Sequence, residues 1–316
     1  MEKIAEQIRS EASRLLEKGE VELVVGFRKG SIPMVSRPWL ARTPQEAKEL
    51  HWDGFCNLNL ANYLTKRKEK VAVVAKGCDS RSLVLHVQEH QISREQVVVL
   101  GVPCNGMLDR RKLQQAAGRG KEILEVEETD GSVQLRGRDL QMSLPREEAL
   151  QQCCSICEHR NPVVKDLLVG QEVAEQKNER FKEVLEIEAK NAQERWEVFR
   201  QVLSTCIRCY ACRNACPHCY CPECFVDCSR PQWVGKSQDP EDVFTFHLFR
   251  AFHMAGRCTD CGSCERACPM GIPVRLLTRK LEKEIKERWG YEVGTSLEGV
   301  PPLATYQPDD PQDFIL

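Results

Sequence analysis

The chain has 316 residues, a formal net charge of −2 and 18 cysteines. That length allows two separate cores, and the near-neutral balance gives no bulk attraction to nucleic acid or a membrane surface. The opening MEKIAEQIRSEASRLLEKGE is charged throughout, and no apolar run approaches the ~20 residues of a spanning helix. A reducing, cytoplasmic setting is expected, in which clustered thiols mean metal rather than disulfides.

Ile4, Ile8, Ala12, Leu15 and Leu16 recur at helical spacing, with Gly19 as a stop. A strand is expected at Val21–Phe27, followed by the loop Arg28-Lys29-Gly30. Thr43-Pro44-Gln45-Glu46 reads as an N-cap, a first-turn proline and a capping glutamate, opening a helix to about Leu50. A second helix is expected from Leu58 to Arg67. Val71–Ala75 is a short apolar strand, and the stretch Lys76–Arg81 opens a helix through Glu89. Val97–Val102 is another such strand, followed by Pro103-Cys104-Asn105-Gly106 and a helix near Leu108–Ala116.

Short buried strands alternating with helices predict a parallel sheet in an α/β domain, over residues 1–145. Ligands of such sheets sit beyond the carboxyl ends of the strands, where Arg28 to Gly30, Cys78 to Arg81 and Cys104 to Gly106 would meet. Ile123–Val126 and Val133–Leu135, joined through Thr129-Asp130-Gly131, read as a hairpin. Residues 146–204 carry Cys153-Cys154-Ser155-Ile156-Cys157 and then a charged helical connector from Gln171 to Leu203. On that connector Phe181, Leu185, Ala192, Trp196, Phe199 and Leu203 share a face.

The strongest signal lies in residues 205–295. CIRCYACRNACP (Cys206–Pro217) and CTDCGSCERACP (Cys258–Pro269) are two copies of C-x2-C-x2-C-x3-C-P. This run holds a 4Fe–4S cubane, and its fourth cysteine ligates the other cluster. One cluster is thus assigned to Cys206, Cys209, Cys212 and Cys268, the other to Cys258, Cys261, Cys264 and Cys216. Zinc sites use cysteine pairs at a different cadence. Cys219, Cys221, Cys224 and Cys228 follow the first run at once, beside His218. They are read as a further metal site, cluster or zinc, with a protective thiol-rich loop as the alternative. The segment Glu241–Ala255 reads as an apolar helix leading into Cys258, with His247 and His253 packed or cluster-adjacent. A helix is expected from Val274 to Trp289, and residues 296–316 read as an extended tail, an arm ending on Phe314, Ile315 and Leu316.

The wide separation of the two runs and their helical flanks resemble the all-helical dicluster module of heterodisulfide reductase and succinate dehydrogenase small subunits. KVAVVAKGCDSRSLV (Lys70–Val84), VVVLGVPCNGM (Val97–Met107) and CSIC with DLLVG (Cys154–Gly170) resemble the beta subunits of coenzyme F420-reducing hydrogenase and F420-dependent formate dehydrogenase. The resemblance implies FAD and iron–sulfur clusters that join a two-electron carrier to a one-electron chain. It makes Cys78, Cys104, Cys154 and Cys157 candidate ligands of a further 4Fe–4S cluster, with Cys153 or Cys56 as a substitute and ordinary buried thiols as the alternative. Flavin phosphates would suit Gly77, Asp79, Ser80 and Arg81, with Arg28 and Lys29 adding charge; plain helix capping by Asp79 or Ser80 is the other reading.

The ferredoxin runs follow the flavin-type domain here, and Gly170-Gln171 departs from the family's acidic ending. No residue identifies F420 as substrate. The function expected is an iron–sulfur, flavin-containing electron-transfer subunit of an anaerobic oxidoreductase. Its partners are expected to be heterodisulfide-reductase-like, formate dehydrogenase or hydrogenase subunits. The competing readings are a flavin-free adaptor between redox subunits and, more weakly, an iron–sulfur sensor.

Overall fold

The computed structural model describes residues 1–129 and 131–304. The chain opens with α1 (Glu2–Glu17), whose Ala5, Ile8, Ala12 and Leu15 are buried. Strands β1 (Leu23–Lys29) and β2 (Ser36–Ala41) follow, then α2 (Pro44–Ala47), β3 (Val71–Ala75), α3 (Gly77–Gln88), β4 (Val97–Gly101) and α4 (Arg110–Ala117). An antiparallel three-stranded sheet comprises β5 (Glu125–Thr129), β6 (Ser132–Gly137) and β7 (Leu140–Pro145). Short helices α5 (Arg146–Ala149) and α6 (Gln152–Ser155) lead to β8 (Leu167–Leu168).

The main sheet runs β2-β1-β3-β4-β8. β1, β3, β4 and β8 are parallel, and β2 pairs antiparallel at the edge. All five residues of β3 are buried, as expected where helices and loops cover both faces of a parallel sheet. Each buried valine there contributes roughly 1.5–3 kcal/mol of burial.

Among the described residues the rest of the chain has α-helices and no further strand: α7 (Lys182–Glu188), α8 (Ala192–Leu203), α9 (Ala211–Asn214), α10 (Pro240–His253), α11 (Ser263–Ala267) and α12 (Arg275–Trp289). An apolar cluster that includes Leu203, Val226, Val243, Phe246 and Ile272 holds this part together.

The connector is not one helix. Residues 171–180 are irregular, and Asn191 starts α8 afresh through a capping box with Glu194. The helix expected at Leu58–Arg67 shrinks to a 3-10 turn, Leu60–Tyr63, capped by Asn59. β2, β7 and β8 appear where no strand was read. The turn residue Asp130 and the apolar tail end Phe314 to Leu316 lie outside the described residues.

Candidate iron–sulfur centres

The two cysteine runs share one backbone design. Arg208 and Tyr210 in the first have φ of 49° and 59°, and Asp260 and Gly262 in the second have 54° and 72°. These are equivalent positions, two and four residues after the leading cysteine. Alternating left- and right-handed residues turn successive N–H groups toward one side, the nest geometry that receives anions and iron–sulfur groups. Short helices α9 and α11 follow these turns in each copy and pack on one another.

This packing interleaves the thiols. Burial pushes the Cys206 thiol up, and neighbouring Cys268 and Cys209 push it further. Burial likewise raises Cys212, with Cys206 and Cys268 as its thiol neighbours. In the second set burial and Asp260 raise Cys258 to about 12, with Cys261 and Cys216 adding to it. Burial raises Cys264, again beside Cys216 and Cys258. Cys268 therefore stands beside Cys206 and Cys212 of the first run, and Cys216 beside Cys258 and Cys264 of the second. Such thiols must lose protons to bind metal, so loading would release them.

Donors already face the sulfurs. The Arg208 and Ile272 amides donate to Cys206 Sγ and Cys268 Sγ, each at 3.4 Å. Arg250, 5% exposed, donates to the Cys212 carbonyl at 3.2 Å. Its pKa is raised because the nearby thiolates of Cys216, Cys264, Cys219 and Cys212 outweigh its burial. Sequence reasoning missed this arginine; its place in an apolar helical run was the available signal.

Cys78, on the first turn of α3, and Cys104, just after β4, meet Cys154 and Cys157 at the carboxyl edge of the parallel sheet. These four, with Cys153 and Cys261, line one small cavity. Burial lifts Cys104 to about 11. Cys153 Sγ is 3.8 Å from Cys154 Sγ and 3.8 Å from the Cys261 carbonyl, so this group abuts the second cage. Cys56 is not here: it is buried against Asp53 and the His51 carbonyl.

The phosphate-cradle reading of the α3 N-terminus does not fit. A Cβ on Gly77 would meet the His159 carbonyl at 2.2 Å, so the segment 159–161 already covers that turn. Asp79 is fully buried, ion-paired with Lys76 Nζ at 2.7 Å, and accepts from the Leu60 and Lys76 amides. Ser80 bonds the Gly77 carbonyl and the Val163 amide. Arg81 donates to the carbonyls of Val293 and Thr259. Arg28 is held by Glu49 at 2.9 Å and lies over the Trp39 ring. These side chains tie elements together, and Lys29 is the exposed last residue of β1.

An open cleft of about 720 Å³ lies nearby, between the sheet's loops and the helical part. Met34, Phe55, Gln151, Arg110, Arg111 and Arg266 line it, together with Cys153 and Gly262. It adjoins both the Cys104 group and the second cage.

Cys219, Cys221 and Cys224 face a smaller cavity with His218 and His253. Cys228 does not reach it and bonds the Cys224 carbonyl instead. Among the described residues no three His, Cys, Asp or Glu side chains converge where a single ion would sit. A cubane makes a different demand, since each thiolate takes its own iron.

No family model matches the chain. The beta subunit of F420-dependent formate dehydrogenase from Methanocaldococcus jannaschii is 24% identical, over 92% of this chain and 91% of its own. The subunit beta of F420-dependent formate dehydrogenase 1 from Methanococcus maripaludis is 25% identical, over 92% and 90%. The chain resembles these beta subunits along nearly its whole length. A chain of the F420-reducing NiFe hydrogenase complex from Methanosarcina barkeri is similar over 48% of this chain and 58% of its own, at 17% identity and a TM-score of 0.38. The resemblance read from KGCDSR, GVPC and CSIC thus extends over 92% of the chain. No helix among the described residues is long and apolar enough to cross a membrane.

Proposed function

We propose that the chain relays electrons within a multisubunit oxidoreductase, linking a two-electron carrier to a series of 4Fe–4S clusters. The observation that carries this reading is the interleaving of the two cysteine runs, with Cys268 among the first set and Cys216 among the second. We assign one cluster to Cys206, Cys209, Cys212 and Cys268, and one to Cys258, Cys261, Cys264 and Cys216. A third goes to Cys78, Cys104, Cys154 and Cys157. Bound there, clusters supply one-electron chemistry.

The chain's own groups do the rest. Deprotonated thiolates hold iron, and the amides of Arg208, Ile272 and Gly106 donate to sulfur. The buried Arg250 balances negative charge between the cages, and Phe246 and Ile272 keep water from the first. Together these groups set the potentials.

For the two-electron carrier we assign the 720 Å³ cleft, a volume within the range of cofactor sites. Arg110 offers charge to phosphates, beside Arg111, which already donates to the Cys268 carbonyl; Met34 and Phe55 offer an apolar wall, and Cys153 contact with the third group. A flavin held there supplies the interchange between paired and single electrons. The burial of Gly77, Asp79, Ser80 and Arg81 in structural contacts favours a second reading, a flavin-free adaptor. Partners on either reading are other redox subunits of a formate dehydrogenase or hydrogenase type.

The test is iron, acid-labile sulfide and flavin per chain on anaerobically purified protein. About twelve irons or more with flavin near one per chain supports the first reading. About eight irons would empty the third site, and absence of flavin selects the adaptor. A colourless protein without labile sulfide overturns both.

A further inference from the structure

The cavity beside the first run has the makings of a metal centre. Its volume is about 180 Å³, and Cys219, Cys221 and Cys224 open onto it with His218. His218 is 2% exposed, yet neither Nδ1 nor Nε2 has a hydrogen-bond partner. An imidazole buried with two unsatisfied nitrogens carries an uncompensated desolvation cost, and a metal bond would satisfy one of them.

The charge around the thiols points the same way. Three arginines line the cavity: Arg213, Arg250 and Arg257. Arg213 reaches the Cys224 sulfur and is ion-paired with Asp227 at 2.8 Å. Cys219 contacts Cys216, and Arg250 and Arg257 stand close to it. Guanidinium groups gathered around thiols favour thiolates and an anionic cluster over neutral sulfhydryls. Phe225, Phe246 and Met254 form the apolar side.

We propose that His218, Cys219, Cys221 and Cys224 hold a further iron–sulfur cluster next to the Cys216 cage. The inference rests on the reading of that cage as a cluster site. The thiols do not converge as a single zinc ion requires, and Cys228 takes no part. Cys221 is exposed, so this centre is the outermost stop on that side. One electron arrives from the neighbouring cage and one leaves to a one-electron acceptor, with no bond made or broken.

The test uses the full chain, purified and reconstituted without oxygen. The Cys221→Ser/Cys224→Ser double variant should lose about four irons and four sulfides, while the paramagnetic signals of the other clusters persist and report an intact fold. His218→Ala should lose iron from this centre, and Cys228→Ser should leave iron unchanged. Unchanged iron in the double variant overturns the inference, as does loss of one zinc in place of iron. Cys209→Ser and Cys104→Ala serve as references. Loss of iron in both, with none in the double variant, sinks this centre alone. No loss in any variant sinks the cluster reading as a whole.

Discussion

His247 Nε2 lies 3.3 Å from Cys206 Sγ, the leading thiol of the first run. Burial, with Arg250 and Arg208 nearby, brings this imidazole down to about 4, so it is neutral near pH 7. A neutral ring carrying its proton on Nε2 donates to the sulfur and stabilises the more reduced cluster. His247→Leu should shift the midpoint of one 4Fe–4S signal to a more negative potential at unchanged iron content, and His247→Gln should restore part of the shift. A redox titration followed by paramagnetic resonance reads both. An unmoved midpoint would leave the ring a packing partner of Phe246.

The two sulfur environments beside α3 separate sharply. Cys104→Ala should remove about four irons per chain. Cys56→Ala should leave iron unchanged and cost only about 1 kcal/mol of stability. Iron analysis with denaturant titration distinguishes them, and iron loss in the Cys56 variant would contradict the placement of the third group.

Gly262 is under tighter control than its equivalent Tyr210. A Cβ there would meet Cys153 Sγ at 2.4 Å, at a φ of +72°. Gly262→Ala should cost more than the ~1–2 kcal/mol of a left-handed backbone and disturb two cysteine groups together. Asp260→Gly relieves its own left-handed position but takes away an Arg275 partner held at 2.6 Å. Thermal midpoints of the two variants, with iron content, check the ranking.

Lys76 and Asp79 form a buried pair, 2% and 0% exposed. Asp79→Ala leaves an uncompensated ammonium and should cost about 3–5 kcal/mol. Asp79→Asn keeps an acceptor for the Leu60 amide and should cost less. Guanidinium denaturation under anaerobic conditions measures the difference.

His86 supplies a pH dependence. Burial lowers it to about 4, though its Nε2 contacts the Pro217 carbonyl at 2.8 Å. With a folded value below the unfolded 6.5, the unfolded chain binds the proton first, so stability falls as pH drops from about 6.5 to about 4. The full contribution is on the order of 3 kcal/mol. His86→Gln keeps a donor for Pro217 without titrating, and its stability should decline less over that window. Parallel curves for the two proteins would refute the assignment.

Periodicity and spacing made part of this molecule legible. β3 was readable to the residue because five consecutive apolar positions with Lys76-Gly77 after them fit only a buried strand leading into a helix. Thr43-Pro44-Gln45-Glu46 folded as its chemistry dictates, with Glu46 returning to the Thr43 amide. β8 was invisible because two residues, Leu167 and Leu168, carry no pattern and pair only when β4 is beside them. The connector misled because its composition is helical throughout, while Asn191 is a better cap than interior residue. Gly77 to Arg81 matched a phosphate loop locally, and only the segment 159–161 closing over it reveals another use. The left-handed turns at Arg208 and Tyr210 had no sequence cue, whereas Asp260 and Gly262, at the equivalent positions, are of types enriched in that conformation.

The stretch after α12 runs back to the first half of the chain. Val293 accepts from Arg81 at 2.8 Å, the Gly294 backbone lies against the Arg81 carbonyl, and Gln88 donates to the Ser296 carbonyl at 2.8 Å. The polypeptide is therefore latched to itself like a bracelet, and its two halves are not interchangeable beads. Recombining either half with that of a relative succeeds only if residues 291–299 travel with α3; otherwise a guanidinium is stranded in the seam. On the proposed relay, electrons crossing this seam would pass through a fixed joint rather than a swinging arm.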